Sequence, residues 1–209
     1  MQFVKTVMSW LSQHLIALHE EGTVMSELNE RLDNLRVLIQ DPEFLEGKGL
    51  SNEVNIRMFC YDPSEEMTVR HFIEQIMTDS SMRCHLIEQN LYKLFLSICE
   101  EKRIINSIPD IENKKGKEFI RDKISHMANN TVFVNKMKYE PHKQGDVLVV
   151  TGVGDVFPFI RVHDVLNAMQ PEFSDIPILV FYPGNFDGRE VQLFNRLKKN
   201  PYYRAFNII

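Results

Sequence analysis

Cysteine is scarce in this chain. Cys60, Cys84 and Cys99 are an odd number with no close spacing among 209 residues. That pattern excludes a disulfide framework and a zinc knuckle, and it points to a reducing compartment, so the expected location is cytoplasmic. Long apolar runs are missing as well: nowhere do the roughly 20 apolar residues of a membrane-spanning helix follow one another. No membrane partner is expected. Positive charge is not in excess, since the formal net charge is −5. A surface that is a nucleic-acid footprint throughout is thereby excluded, although a local basic patch is not. Glycine and proline are few, at nine each, and no internal repeat or low-complexity segment interrupts the sequence.

The composition that remains, 44% hydrophobic and 25% charged, is that of a folded chain rather than a disordered one. At this length one sizeable core is expected, with room for a small appendage. Residues 3 to 18 carry Val4, Val7, Met8, Leu11, Leu15 and Leu18 at helical spacing, interrupted by polar residues, and they lack the features of a signal peptide. They predict an amphipathic helix packing on this chain or on a partner. Met25-Ser26-Glu27 resembles a second beginning, with Ser26 as helix cap and Leu28, Leu32, Leu35 and Ile39 on one face as far as Asp41-Pro42. Residues 1–24 are therefore expected to be a helical extension, or the product of an upstream start codon. Residues 25–209 are expected to be a single domain.

Beyond the turn-rich Gly47–Glu53, the chain alternates between strand and helix patterns. Val54–Cys60 predicts a strand, residues 65–79 a helix with Val69, Phe72, Ile73 and Ile76 inward, His85–Asn90 a strand and Leu91–Glu101 a helix. Residues 102–143 are less regular, with one helix expected around Phe119–Met127 and a short one around Val132–Met137. Ten Lys or Arg lie in that stretch against five acids. Such a run reads as a solvated helical face or as a surface for nucleic acid or an acidic partner. Val147–Val150 is an apolar run fit for a strand buried on both faces, followed by one helix from about Asp155 to Met169. A further strand is expected at Ile178–Phe181, a helix at Arg189–Lys199 with Val191, Phe194 and Leu197 inward, and a last strand near Ala205–Ile209. The fold class predicted is α/β: a mainly parallel sheet of about five strands with helices on both faces, plus N-terminal helices.

Loops at the carboxyl ends of parallel strands are where ligands gather. Three segments fall there: Tyr61-Asp62-Pro63, Thr151-Gly152-Val153-Gly154-Asp155, and Tyr182-Pro183-Gly184 continuing to Asp187-Gly188. The Gly152 and Gly154 pair suggests a phosphate loop, but Phe157 stands where a dinucleotide fingerprint wants its third glycine. Asp155 stands where a triphosphate loop wants lysine, and an acid repels phosphate. A tight turn is the alternative. Asp62, Asp155, His163 and Asp187 are candidate acid/base or metal residues, yet no spacing among them is diagnostic and three of them suit turns or helix caps. Arg161 and His163, two residues apart on the expected helix, project about 200° apart. Tyr202, Tyr203 and Phe206 flank Arg204, as a packed final strand or an interface anchor. No nucleophile motif is present, and no cofactor is expected.

Taken together, four segments resemble the BrxB family of bacterial BREX (bacteriophage exclusion) systems. They are Phe44-Leu45 through Gly49–Glu53; Tyr61-Asp62-Pro63 with Glu66 and Val69-Arg70; the run Thr151–Met169; and Phe181–Gly188 continuing to Leu193-Phe194 and Asn200–Phe206. The resemblance covers about residues 28 to 209. It departs at Asn185-Phe186, where the family pattern has an acid and a tyrosine, and at Pro201. It implies a role in defence against phage beside a phosphatase-superfamily protein (PglZ), an adenine-specific DNA methyltransferase (PglX) and a large ATPase. The family has no agreed catalytic centre, so the resemblance implies a non-catalytic subunit with the PglZ-like protein as first partner. A nucleotide- or nucleic-acid-binding regulator of the same system is the alternative. The residues expected to meet a partner or ligand are Tyr61, Asp62, Thr151, Gly152, Gly154, Phe157, Arg161, His163, Tyr182, Gly184, Asp187, Tyr203, Arg204 and Phe206.

Overall fold

A computed structural model describes residues 27–46, 55–202 and 205–208. The expectations for residues 1–24, the Ser26 cap, the Gly47–Glu53 turn, Val54, Tyr203 and Arg204 lie outside these. The chain divides into two units, Met1–Leu38 and Ile39–Ile209. In the first, residues 27–38 form helix α1, on which Leu28, Leu32 and Leu35 are buried.

The second unit opens on a one-turn helix, α2 (Pro42–Leu45), with the Asp41 carboxylate accepting from the Glu43 amide at 2.7 Å. Strand β1 (Ile56–Tyr61) leads through a 3₁₀ turn at Pro63–Glu65 into α3 (Glu66–Thr78). Then follow β2 (His85–Asn90), α4 (Leu91–Glu101), α5 (Ile108–Lys115), α6 (Lys117–Met127) and α7 (Asn130–Met137). Strand β3 (Asp146–Thr151) precedes α8 (Val153–Val156) and α9 (Val162–Met169). Strands β4 (Ile178–Phe186), β5 (Glu190–Leu193), β6 (Asn200–Pro201) and β7 (Phe206–Asn207) complete the chain.

Five strands run parallel in the order β2-β3-β4-β1-β7, as the alternating pattern predicts. Every residue of β3 is buried, which is what a continuous apolar run in a central strand requires. Strand alternation separates the two faces. On one, Met58, Cys60, Leu148, Val150, Val180 and Tyr182 join the core built with α4 and α6–α9. On the other, Phe59 and Phe181 lie 5.7 Å apart by ring centroid, with Phe72 of α3 at 6.5 Å from Phe181. Burial of each such ring contributes about 1.5–3 kcal/mol. Among the described residues no helix is long and apolar enough to cross a membrane.

Three expectations fail. The single helix after β3 is two: Pro158 bars α-helical backbone at the residue before it, and Phe157 is extended at φ −68°, ψ 138°. Arg161 consequently caps α9 instead of lying within a helix. The expected strand end at Tyr182 is not an end, because β4 continues through Pro183 to Phe186. The expected helix at Arg189–Lys199 is a hairpin strand and a turn. Gly188 takes φ +89°, the Asp187 carboxylate accepts from the Arg189 and Glu190 amides, and β5 folds back on β4 with Val191 opposite Phe186.

Candidate functional site

The carboxyl ends of β1, β3 and β4 do meet. Tyr61 is buried at the end of β1 and donates its hydroxyl to Glu66 Oε2 at 2.7 Å. Burial, and then Glu66, push the phenol pKa well above its ordinary value. Glu66 Oε1 accepts from Arg70 Nε at 2.6 Å, and Arg70 reaches across to Asp155 after β3. Thr151, also buried, donates to Glu88 of β2 at 2.6 Å. Tyr61, Thr151 and Gly152 thus line a groove of about 380 Å³ between α3 and the strand ends. Gly152 is at φ +69°, and a Cβ there would lie 2.7 Å from Asn90 Oδ1, which itself caps α4. The residue is glycine because the turn and the close approach both demand it.

Asp62 closes a capping box with Glu65: it accepts from the Ser64 amide at 2.9 Å while its own amide donates to Glu65 Oε2 at 3.0 Å. The Ser64 hydroxyl and the Asn195 amide add further hydrogen bonds, and Ser64 above all holds the carboxyl below its usual range. Asn195 belongs to the turn after β5, where Phe194 and Asn195 have φ of +56° and +54°. Phe194 donates its amide to the Pro183 carbonyl at 2.8 Å and covers Gly154, whose Cβ would meet the ring at 2.9 Å. A Cβ on Gly184 would lie 2.2 Å from the Gln192 carbonyl oxygen, so the β4–β5 pairing also needs glycine there.

On the far side of that turn is a cleft of about 310 Å³ between the α8–α9 junction and the β5–β6 hairpin. Phe157, Arg161, His163 and Tyr182 line it together. Phe157 is 37% exposed and meets Phe194 edge-on at 6.4 Å between centroids. The His163 ring is mostly covered, and its pKa is lowered first by that burial. Burial raises that of Tyr182.

Asp62, Gly154, Gly184, Asp187 and Phe206 line neither of these cavities. Asp187 serves the hairpin turn, its carboxyl lowered by the Glu190 and Arg189 amides. Phe206 sits on the outer strand β7 beneath the Arg57 guanidinium, 5.0 Å from ring centroid. Ile160, Leu193, Leu197, Lys198 and Asn200, none of them among the residues expected to meet a partner or ligand, also line the cleft. Asp187-Gly188, in the four residues between Phe186 and Val191, is the hairpin signal that would have found them. Among the described residues no group of three or more His, Cys, Asp or Glu side chains is placed to hold a metal ion.

The family model described as "BREX protein BrxB" matches residues 87–208. A "BREX protein BrxB" from Bacillus cereus (strain H3081.97) is 40% identical over 192 residues, spanning 88% of this chain and 99% of that one. Another, from Escherichia coli O9:H4 (strain HS), is 24% identical over 183 residues, spanning 87% and 92%. No solved structure matches.

Proposed function

The chain belongs to the BrxB family of BREX proteins, and from that premise we propose that it is a non-catalytic subunit that binds a PglZ-like phosphatase-superfamily protein. In that role it helps couple the partner to the methyltransferase and ATPase components of an anti-phage assembly. The observation that carries this reading is the state of the strand-end acids. Glu66 and Asp155 are held by Arg70, Asp62 is a cap and Asp187 is a turn residue. Phe157 meanwhile stands exposed beside a cleft of mixed apolar and basic lining. Acids committed to the fold beside an uncovered aromatic suit a docking surface better than a reaction centre.

The rival, a nucleotide- or nucleic-acid-binding regulator, has less support. Helix α8 after the glycine loop is a single turn, too short to focus a helix dipole on phosphate, and Asp155 lies within it. In the basic stretch, Arg121 pairs with Glu118, Lys136 with Glu101 and Lys138 with Glu172. Co-expression of the tagged chain with its genomic neighbours, followed by capture at low and high salt, tests the proposal. Recovery of the phosphatase-superfamily protein at both salts is expected. Recovery of nucleic acid alone, lost at high salt as counterion release demands, would favour the rival.

A further inference from the structure

The lining of the cleft beside Phe157 inverts the charge of the protein around it. The chain as a whole carries a formal −5, yet the cleft is lined by Arg161, His163 and Lys198 with no carboxylate. Two other cations are compensated: Arg70 holds Glu66 and Asp155, and Lys199 lies near Asp187 and Glu190. Arg161 and Lys198 are exposed, and among the described residues neither has an ion-pair partner. Between them the walls are apolar, with Phe157, Ile160, Tyr182, Leu193 and Leu197.

We propose that this cleft docks an acidic segment of the partner protein, one apolar side chain entering between Phe157 and Leu197 while flanking carboxylates meet Arg161 and Lys198. The proposal rests on the subunit role above and adds to it the chemistry of the partner. Apolar walls supply affinity, and uncompensated cations at the rim supply orientation and speed of encounter. A volume of about 310 Å³ takes one or two large side chains. A macromolecule fits the surroundings better than a small anion does, because Phe157 and Pro158 carry the apolar surface outward beyond the cleft, where a small ligand would leave them uncovered. Burial lowers the pKa of His163, opposed by the Asp164 carboxylate 3.5 Å from its Nε2, and the ring adds a hydrogen-bonding group to the lining.

The test uses the full chain co-expressed with the phosphatase-superfamily protein. Benzoylphenylalanine replaces Leu197 in one sample and Met67, on α3 and 74% exposed, in another. After irradiation the cross-linked peptide is sequenced. The Leu197 probe is expected to mark a partner segment with Asp or Glu flanking an apolar residue, and the Met67 probe is not. The double variant Arg161→Glu, Lys198→Glu is expected to weaken the complex about tenfold or more with its thermal midpoint unchanged. Arg161→Gln, Lys198→Gln is expected to fall between it and the native protein, and keeps the test valid if charge reversal disturbs folding. A complex that survives both variants, or a cross-link to a basic or uncharged segment, to nucleic acid or to a small molecule, overturns the proposal. If the complex forms but Leu197 does not mark it, the cleft is wrong and the subunit role stands. If no complex forms, the subunit role fails and the cleft assignment with it.

Discussion

Arg70 on the helix after β1 holds Asp155 on the one-turn helix after β3, a link between side chains 85 residues apart in the chain. The same guanidinium holds Glu66, which takes the hydroxyl of Tyr61. Charge-assisted hydrogen bonds thereby run from one strand end to the other at the edge where the loops gather.

Arg70→Ala tests what that link contributes. The Arg70 and Asp155 side chains are 46% and 37% exposed, so solvent screens the pair. The expected loss is no more than about 1 kcal/mol of unfolding free energy in urea. A substantially larger loss would mean that the bridge organises the loops rather than decorating them.

Asp62 makes stability depend on acid. Its carboxyl is held below the usual range, so the contribution is present above the unfolded carboxylate pKa and is lost as pH falls through the folded one. The site is exposed, so Asp62→Ala is expected to lower stability by about 0.5–1 kcal/mol at neutral pH. Urea titrations repeated near about pH 3 should show a narrower gap between the two proteins.

Gly152 and Gly184 are expected to resist substitution for different reasons. Gly152→Ala strains a left-handed backbone and crowds Asn90, for a loss of about 1–3 kcal/mol by chemical denaturation. Gly184→Ala drives a Cβ into the Gln192 carbonyl and is expected to open the β4–β5 pairing. Amide exchange at Phe194, whose N–H donates to the Pro183 carbonyl at 2.8 Å beside Gly184, should quicken in that variant.

His163 is expected to titrate below the ordinary histidine midpoint of about 6.5, followed by the NMR shift of its ring protons. Because its folded pKa is lowered, the unfolded chain takes the proton first. Stability therefore falls as pH drops through the ordinary histidine range, and His163→Gln should flatten that slope. A midpoint at or above the ordinary value would contradict the buried placement of the ring.

Much of the sheet was legible because its strands are short apolar runs separated by helices with a clear inward face. His85–Asn90 and Leu91–Glu101 are read from the sequence to the residue. The gathering of three loops at one edge followed from parallel topology alone. What escaped was set by local chemistry that overrides periodicity. Pro158 splits the helix expected after Asp155, and Pro109 starts α5, where the sequence reading expected no helix. Asp187 and Gly188 fold the next segment back as a hairpin, although Val191, Phe194 and Leu197 also satisfy helical spacing. That misreading hid one wall of the cleft, since Leu193, Leu197, Lys198 and Asn200 reach it only from the hairpin and its turn.

The most direct test of the subunit role is the affinity of purified chain for the phosphatase-superfamily protein, measured for the native sequence and for Phe157→Ala. Phe157 is 37% exposed and packs edge-on against Phe194, so the variant is expected to keep its fold with a somewhat lowered thermal midpoint, and binding is compared at a temperature where both proteins are folded. A stable binary complex that the variant weakens by about tenfold or more is the predicted result. Absence of binding by the native chain would contradict the subunit role, and equal binding by both proteins would contradict the docking surface at Phe157.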